Sequence, residues 1–309
     1  MPPGHAGKQA IRRGPECRQW VTWPRRRCGT GRDTVAVVTE DSSPDGRPAV
    51  EIDTTVSHSA RVWDYWLGGK DNYAVDREVG DRIAAMLPDI VKHARADRAF
   101  LGRAVRYLAA EAGIRQFLDI GTGLPTANNT HEVAQRVAPE SRVVYVDDDP
   151  LVLVHARALL TSTPEGVTSY IEADLHHPAD IIAGAAQTLD FTQPIAITLL
   201  GVLWHVTDND EAGSIINQLV DALPSGSYLA IAHPTLEVTG EKMAAAIRYW
   251  NEYGTPPGTH RTPAEIARFF DRLELVEPGV VSSTLWRPEP AQIGTPEAID
   301  QFCAVGRKP

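Results

Sequence analysis

The sequence predicts an α/β fold: a mostly parallel sheet flanked by helices and preceded by a helical cap. Three observations predict it. First, Phe117, Leu118 and Ile120 form a short apolar run that stops at Gly121-Thr122-Gly123, the pattern of a buried strand ending in a tight turn. Second, a helical stripe of Val133, Ala134 and Val137 follows, and the next apolar run, Val143 to Val146, ends in Asp147, Asp148 and Asp149. Third, apolar runs and helical stripes keep alternating downstream, whereas Ile52 to Gly113, before the first run, reads as mostly helical. Strand, glycine turn, helix, strand and acid form half of a nucleotide-binding sheet, with its ligand at the carboxyl ends of the strands.

Residues 1–49 are rich in Arg, Gly and Pro and show no apolar period, which predicts a disordered tail. A nucleic-acid-binding arm and a misassigned start codon are the other readings of that stretch. Residues 50–114 are read as the cap. Ser59 or His58 starts a helix carrying Val62, Trp63, Trp66 and Leu67, and Gly68-Gly69 ends it. A second helix has Val75, Val79 and Ile83 on one stripe. Pro88 opens a third, with Ala94, Leu101, Val105 and Leu108 facing inward.

Residues 115–309 are read as the core. After the second strand, Pro150 begins a helix through Leu160, Ser169 to Glu172 forms the third strand, and Ile181 to Leu189 a helix. Ile195 to Leu200 is the most apolar run and belongs at the centre, buried on both faces. Asp208 caps the next helix, with Ala212, Ile215, Ile216, Leu219 and Val220 along one face. A fifth strand spans Tyr228 to Ala232, and Thr239 to Tyr253 is helical. Thr262 and Pro263 open a helix through Phe270. A sixth strand covers Leu275 to Val281, and Gln301 to Gly306 is the seventh, antiparallel to it across a long loop.

The glycine turn narrows the ligand. A dinucleotide loop needs a third glycine to receive a pyrophosphate, but Thr126 stands there behind Pro125. Asp119 would repel a phosphate. The loop suits S-adenosylmethionine, which has none: Asp119 would attract its ammonium, and Asp147 would accept hydrogen bonds from both ribose hydroxyls. The cofactor carboxylate needs a cation or backbone donors, and Arg61 or Lys70, beside the Gly68-Gly69 hinge, could supply it. Tyr65 or Tyr73 could line the methyl-transfer site, while Trp63 and Trp66 read as core.

The stretches S-A-R-V-W-D-Y-W-L-G-G-K-D-N-Y-A-V-D-R (59–77), F-L-D-I-G-T-G-L-P-T (117–126) and V-V-Y-V-D-D-D-P (143–150) resemble the actinobacterial S-adenosyl methyltransferase family, within the class I superfamily. The similarity runs from about Ile52 to Arg307. It implies a Rossmann-like, seven-stranded methyltransferase sheet with the last strand antiparallel, capped by N-terminal helices. It also implies that Gly121, Gly123, Asp147 and Asp148 border the cofactor. Asp174, after the third strand, matches the acid that accepts the adenine amino group, and the Leu175 backbone receives an adenine nitrogen. Gly201 to Val206 resembles the segment whose backbone borders the methyl. His205 is the candidate general base there, because an imidazole with an ordinary pKa of about 6.5 takes a proton at neutral pH. His233, at the fifth strand's carboxyl end, is the second candidate. A cofactor-binding protein without turnover and an NAD-dependent oxidoreductase are the rival readings.

Composition bounds the rest. The chain has 309 residues, 43% hydrophobic, enough for a full core. A net charge of −10 argues against a broad nucleic-acid surface and favours a small-molecule acceptor. Cys17, Cys28 and Cys303 are scattered, forming neither a disulfide framework nor a metal site, as expected of a cytoplasmic protein. No apolar run is long enough to span a bilayer. Neither an N-P-P-[YFW] segment after the fourth strand nor a Pro-Cys nucleophile is present, so methylation chemistry that depends on either is not indicated.

Overall fold

Helices come first, as the apolar spacing requires. The computed structural model describes residues 52–159, 161–289 and 296–309; the tail read over 1–49 lies outside them. The leading helices are α1 (Ser59–Leu67), α2 (Ala74–Met86) and α3 (Ile90–Ala110). Gly68 ends α1 in the left-handed region at φ 86°, its N–H bonded to the Tyr65 carbonyl, a conformation that a Cβ disfavours.

The sheet follows as β1 (Gln116–Ile120), α4 (Thr130–Val137), β2 (Arg142–Asp147), α5 (Pro150–Leu159), β3 (Val167–Glu172), α6 (Pro178–Ala185) and β4 (Ala196–Leu200). It continues through α7 (Asn209–Asp221), β5 (Tyr228–Pro234), α8 (Glu241–Tyr253), α9 (Pro263–Arg268), β6 (Glu274–Leu275), β7 (Val281–Ser282) and β8 (Gln301–Arg307). The order across the sheet is β3-β2-β1-β4-β5-β8-β6, with β7 also against β8. The first five strands run parallel and β8 is antiparallel to its neighbours. This is the expected Rossmann-like methyltransferase sheet. Its order reverses between β1 and β4, the switch point where α/β sheets bind ligands.

Three expectations needed adjustment. The sixth strand is split: Val276 to Gly279 makes a turn closed by the Gly279 N–H on the Val276 carbonyl, because Pro278 has no donor to continue a ladder. The helix read at Ile181 to Leu189 begins and ends earlier, with Pro178 in its first turn. Val137 faces outward at 38% exposure. The inner face of α4 is instead carried by Thr130, His131, Val133 and Ala134, since Thr130 bonds to Asp119 and His131 to Tyr145.

The helices before the sheet share a separate apolar cluster with α8: Val62, Trp66, Val79 and Ile83 pack with Met243 and Trp250. Two short parallel pairs, Ser57 with Gly254 and His58 with Thr255, tie the start of α1 to the end of α8. Arg61 is enclosed here, 3% exposed. Its Nε donates to Asp76, with contacts of 3.0–3.1 Å to the two carboxylate oxygens, and its Nη1 and Nη2 donate to the carbonyls of Asp53 and Val56. Asp76 is fully buried, so removing the guanidinium strands a charge. Arg61→Ala is expected to cost about 3–5 kcal/mol of stability in chemical denaturation, with the loss confined to folding of this region and no selective effect on a ligand.

Candidate active site

At the carboxyl ends of β1, β2, β3 and β4 lies one cavity of about 330 Å³, within the roughly 300–1,000 Å³ of small-molecule sites. Asp119, Gly121, Gly123, Asp147, Asp148, Asp174, Leu175, Gly201 and His205 all line it. The structure therefore brings together nine of the fourteen residues singled out from sequence. Arg61, Tyr65, Lys70, Tyr73 and His233 are not on its wall.

The glycine turn is shaped by its neighbours. Gly121 sits at φ 72°, and a Cβ there would come within 2.3 Å of the Val202 side chain. Gly123 and Gly201 also have positive φ, 62° and 79°, with nothing within 4 Å of an added Cβ. At those two points the backbone, not a side chain, borders open cavity.

Each acid is held differently. Asp119, 5% exposed, accepts hydrogen bonds from the Thr130 and Thr198 hydroxyls at 2.5 and 2.6 Å. Burial raises its pKa and the two hydroxyls counter part of that rise. Asp147 accepts from the Gly123 N–H at 2.9 Å and the Asp149 N–H at 3.0 Å. Burial nonetheless pushes its pKa up to about 7, with Asp148 and Asp149 adding repulsion. Asp174 is more open. Burial opposes its ionisation, but the His176 backbone N–H at 2.9 Å and ring nitrogen at 2.8 Å outweigh it and hold the carboxyl below its usual range.

The two histidines correct the expectation of a general base. His205 lines the cavity, but both ring nitrogens are engaged. Nδ1 donates to the Pro257 carbonyl at 2.9 Å, while Nε2 accepts from Trp204 Nε1 at 2.7 Å and lies 3.0 Å from Ser59 Oγ. Burial lowers its pKa to about 4. It is a neutral strut with no free lone pair. His233 is fully buried, with Arg261 Nη1 2.6 Å from its Nε2. Burial and that guanidinium lower its pKa to about 3.

The cation expectation is corrected too. Arg61 is consumed by Asp76 among the leading helices, and Lys70 stands exposed away from the cavity wall. The arginine that does line the cavity is Arg98 on α3, half-buried, with Nη2 donating to the Ala127 and Asn128 carbonyls at 3.2 Å each. Asp97, which bonds Gln301 Nε2 at 2.9 Å, lines it as well. Sequence reading passed over both, although Asp97 interrupts the apolar stripe between Ala94 and Leu101 and so marked a polar purpose on that face. Trp63, read as core, also reaches the cavity; Tyr65 and Tyr73 do not line it.

An acid-lined cavity with backbone-bordered walls at a sheet switch point is the layout of a Rossmann-like ligand-binding protein. The chain belongs to the S-adenosyl methyltransferase family, whose model matches residues 45–309. A DUF574 family protein from Streptomyces avermitilis MA-4680 is 48% identical, with a TM-score of 0.79 over 83% of this chain and 99% of that one. A protein from Thermobifida fusca YX is 40% identical, with a TM-score of 0.75 over 83% of this chain and 96% of that one. Among curated proteins none matches. The protein is thus an S-adenosylmethionine-dependent methyltransferase, and the cavity lining suits a cationic cofactor without phosphates: Asp119, Asp147, Asp148 and Asp174 all line it.

The Asp147 shift has a measurable sign. Unfolded, a carboxyl of this kind titrates near 4; folded, it holds its proton to about pH 7. The folded-state pKa is raised, so this contribution to stability is complete below about pH 4 and is lost as pH rises through 7. Compared with Asp147→Asn in denaturant melts, the wild type is expected to lose on the order of 3–4 kcal/mol between pH 4 and 8.

Proposed function

We propose that this methyltransferase acts on a small-molecule O, N or S acceptor in the cytoplasm, with the helical segment 50–114 serving as a cap over the core 115–309. The observation that carries the reading is the single cavity shared by Asp119, Asp147 and Asp174, walled on its other side by α1 and α3. Within it, Asp119 meets the cofactor ammonium, and Arg98, steadied by two loop carbonyls, takes the carboxylate that had been assigned to Arg61 or Lys70. Asp147 and Asp148 receive the ribose hydroxyls. Asp174 and the Leu175 backbone hold the adenine. The Gly201 backbone borders the methyl.

When bound, S-adenosylmethionine supplies an electrophilic methyl: the acceptor lone pair forms the new bond, the S–CH3 electron pair returns to sulfur, and S-adenosylhomocysteine and a proton leave. The chain's own contribution is positional. With His205 and His233 both engaged elsewhere, the acceleration comes from holding the acceptor in line and excluding water. The net charge of −10 supports a small acceptor rather than a nucleic acid. No described helix is long and apolar enough to cross a membrane.

Calorimetry with S-adenosylhomocysteine tests the assignment. Arg98→Ala is expected to weaken binding about tenfold or more, the loss of one charge-assisted contact, while Lys70→Ala leaves it unchanged. Wild-type affinity is expected to rise from pH 6 to 8, because ribose hydroxyls donate to the ionised form of Asp147. Asp147→Asn should bind more weakly and show no such slope. Equal affinities of Arg98→Ala and wild type would remove the Arg98 role.

A further inference from the structure

A second, smaller cavity adjoins the first. The two share Ser59, Trp63, Gly201 and Trp204 on their walls, so the second opens beside the point where the backbone borders the transferable methyl. Its far side is built by α1, α2, α3 and α8, from Trp66, Ile83, His93, Met243, Ile247 and Trp250. Building on the cofactor placement above, we infer that this cavity is the acceptor subsite and that it takes a compact, uncharged aromatic ring bearing a hydroxyl, which pairs with His93.

Size, polarity and one unmatched atom carry the inference. The half-open space is about 70 Å³, several times the roughly 10–15 Å³ that one water needs, room for one small group seated at its mouth rather than for an extended chain. Among the described residues no Asp, Glu, Lys or Arg lines it, so a charged acceptor would lose its hydration without a counter-charge. Its walls are aromatic. Trp63 and Trp66 meet edge to face at 6.1 Å, and Trp204 and Trp250 lie tilted at 5.7 Å, surfaces that favour a flat ring.

His93 lines this cavity, and its Nδ1 is buried with no hydrogen-bond partner among the described residues. The residue is 3% exposed. Buried polar atoms are normally paired, and leaving one unpaired is costly; a ligand that supplies the partner recovers that cost. A hydroxyl both donates and accepts, so it pairs with Nδ1 in either tautomer of the neutral ring. Burial lowers the His93 pKa, against the opposing pull of Asp300 and Asp89 and with the help of Lys92, which keeps the ring neutral at physiological pH.

The test uses protein labelled with ¹⁵N at its tryptophan indoles and saturated with S-adenosylhomocysteine, with phenol, toluene and benzoate as probes. Phenol is expected to shift the indole signals of Trp66 and Trp250 while Trp286, fully buried in another cluster, stays still. Toluene, alike in size without the hydroxyl, should bind about tenfold more weakly, and benzoate should not bind. His93→Phe should erase the preference for phenol over toluene, and Ala246→Phe should block both probes while S-adenosylhomocysteine affinity stays within twofold. Equal binding of phenol and toluene by the wild type overturns the hydroxyl assignment without relying on any variant. S-adenosylhomocysteine binding with no probe binding overturns the subsite alone, whereas failure of S-adenosylhomocysteine itself to bind overturns the cofactor placement and this subsite together.

Discussion

The carboxylate of Asp147 ties two pieces of the fold that have no covalent reason to meet. It ends β2, yet it accepts the Gly123 N–H from the turn after β1. A buried carboxylate needs donors, and a left-handed glycine turn presents an amide that would otherwise go unmatched. Each solves the other's problem. The turn is held open at the sheet's switch point, and the acid stays at the cavity edge with its remaining oxygen capacity directed toward a ligand. Asp119 repeats the pattern one strand over, with hydroxyls from α4 and β4 as its donors. The cavity floor is therefore a set of satisfied acids, and its geometry depends on strands β1, β2 and β4 being in register.

That floor was legible in the sequence because its determinants are local. A glycine turn directly follows an apolar run, and an acid directly follows the next; neither statement needs knowledge of distant residues. Helix starts behaved likewise: Asp208 and Thr262 both accept from backbone N–H groups in the first turn they cap. Misplaced features depend on partners far along the chain. Arg61 looked free because Asp76 lies fifteen positions on. His233 looked catalytic at a strand end, yet Arg261, from beyond α8, occupies its ring nitrogen. His205 lost its lone pair to Trp204 and Ser59. Arg98 was missed for the converse reason, since nothing adjacent in sequence shows that α3 turns that residue toward the switch point.

The helical segment before the sheet does two jobs through different faces. One face of α3 meets the sheet through Phe100, Ala104 and Leu108, while α1, α2 and the start of α3 meet α8 in their own apolar cluster. The smaller cavity lies within that second cluster rather than in the sheet's core. The two cavities meet along Ser59, Trp63, Gly201 and Trp204, which belong to both walls.

The split strand opposite β8 has a consequence for the chain's company rather than its chemistry. A long, flat outer strand offers a row of unpaired amides and carbonyls on which a foreign polypeptide can add itself. Here the outermost position is occupied only by the two-residue pieces β6 and β7, bent apart around Pro278 and Gly279. Among the described residues an incoming extended segment finds no continuous ladder on that side, a device that blunts an edge against edge-on polymerisation.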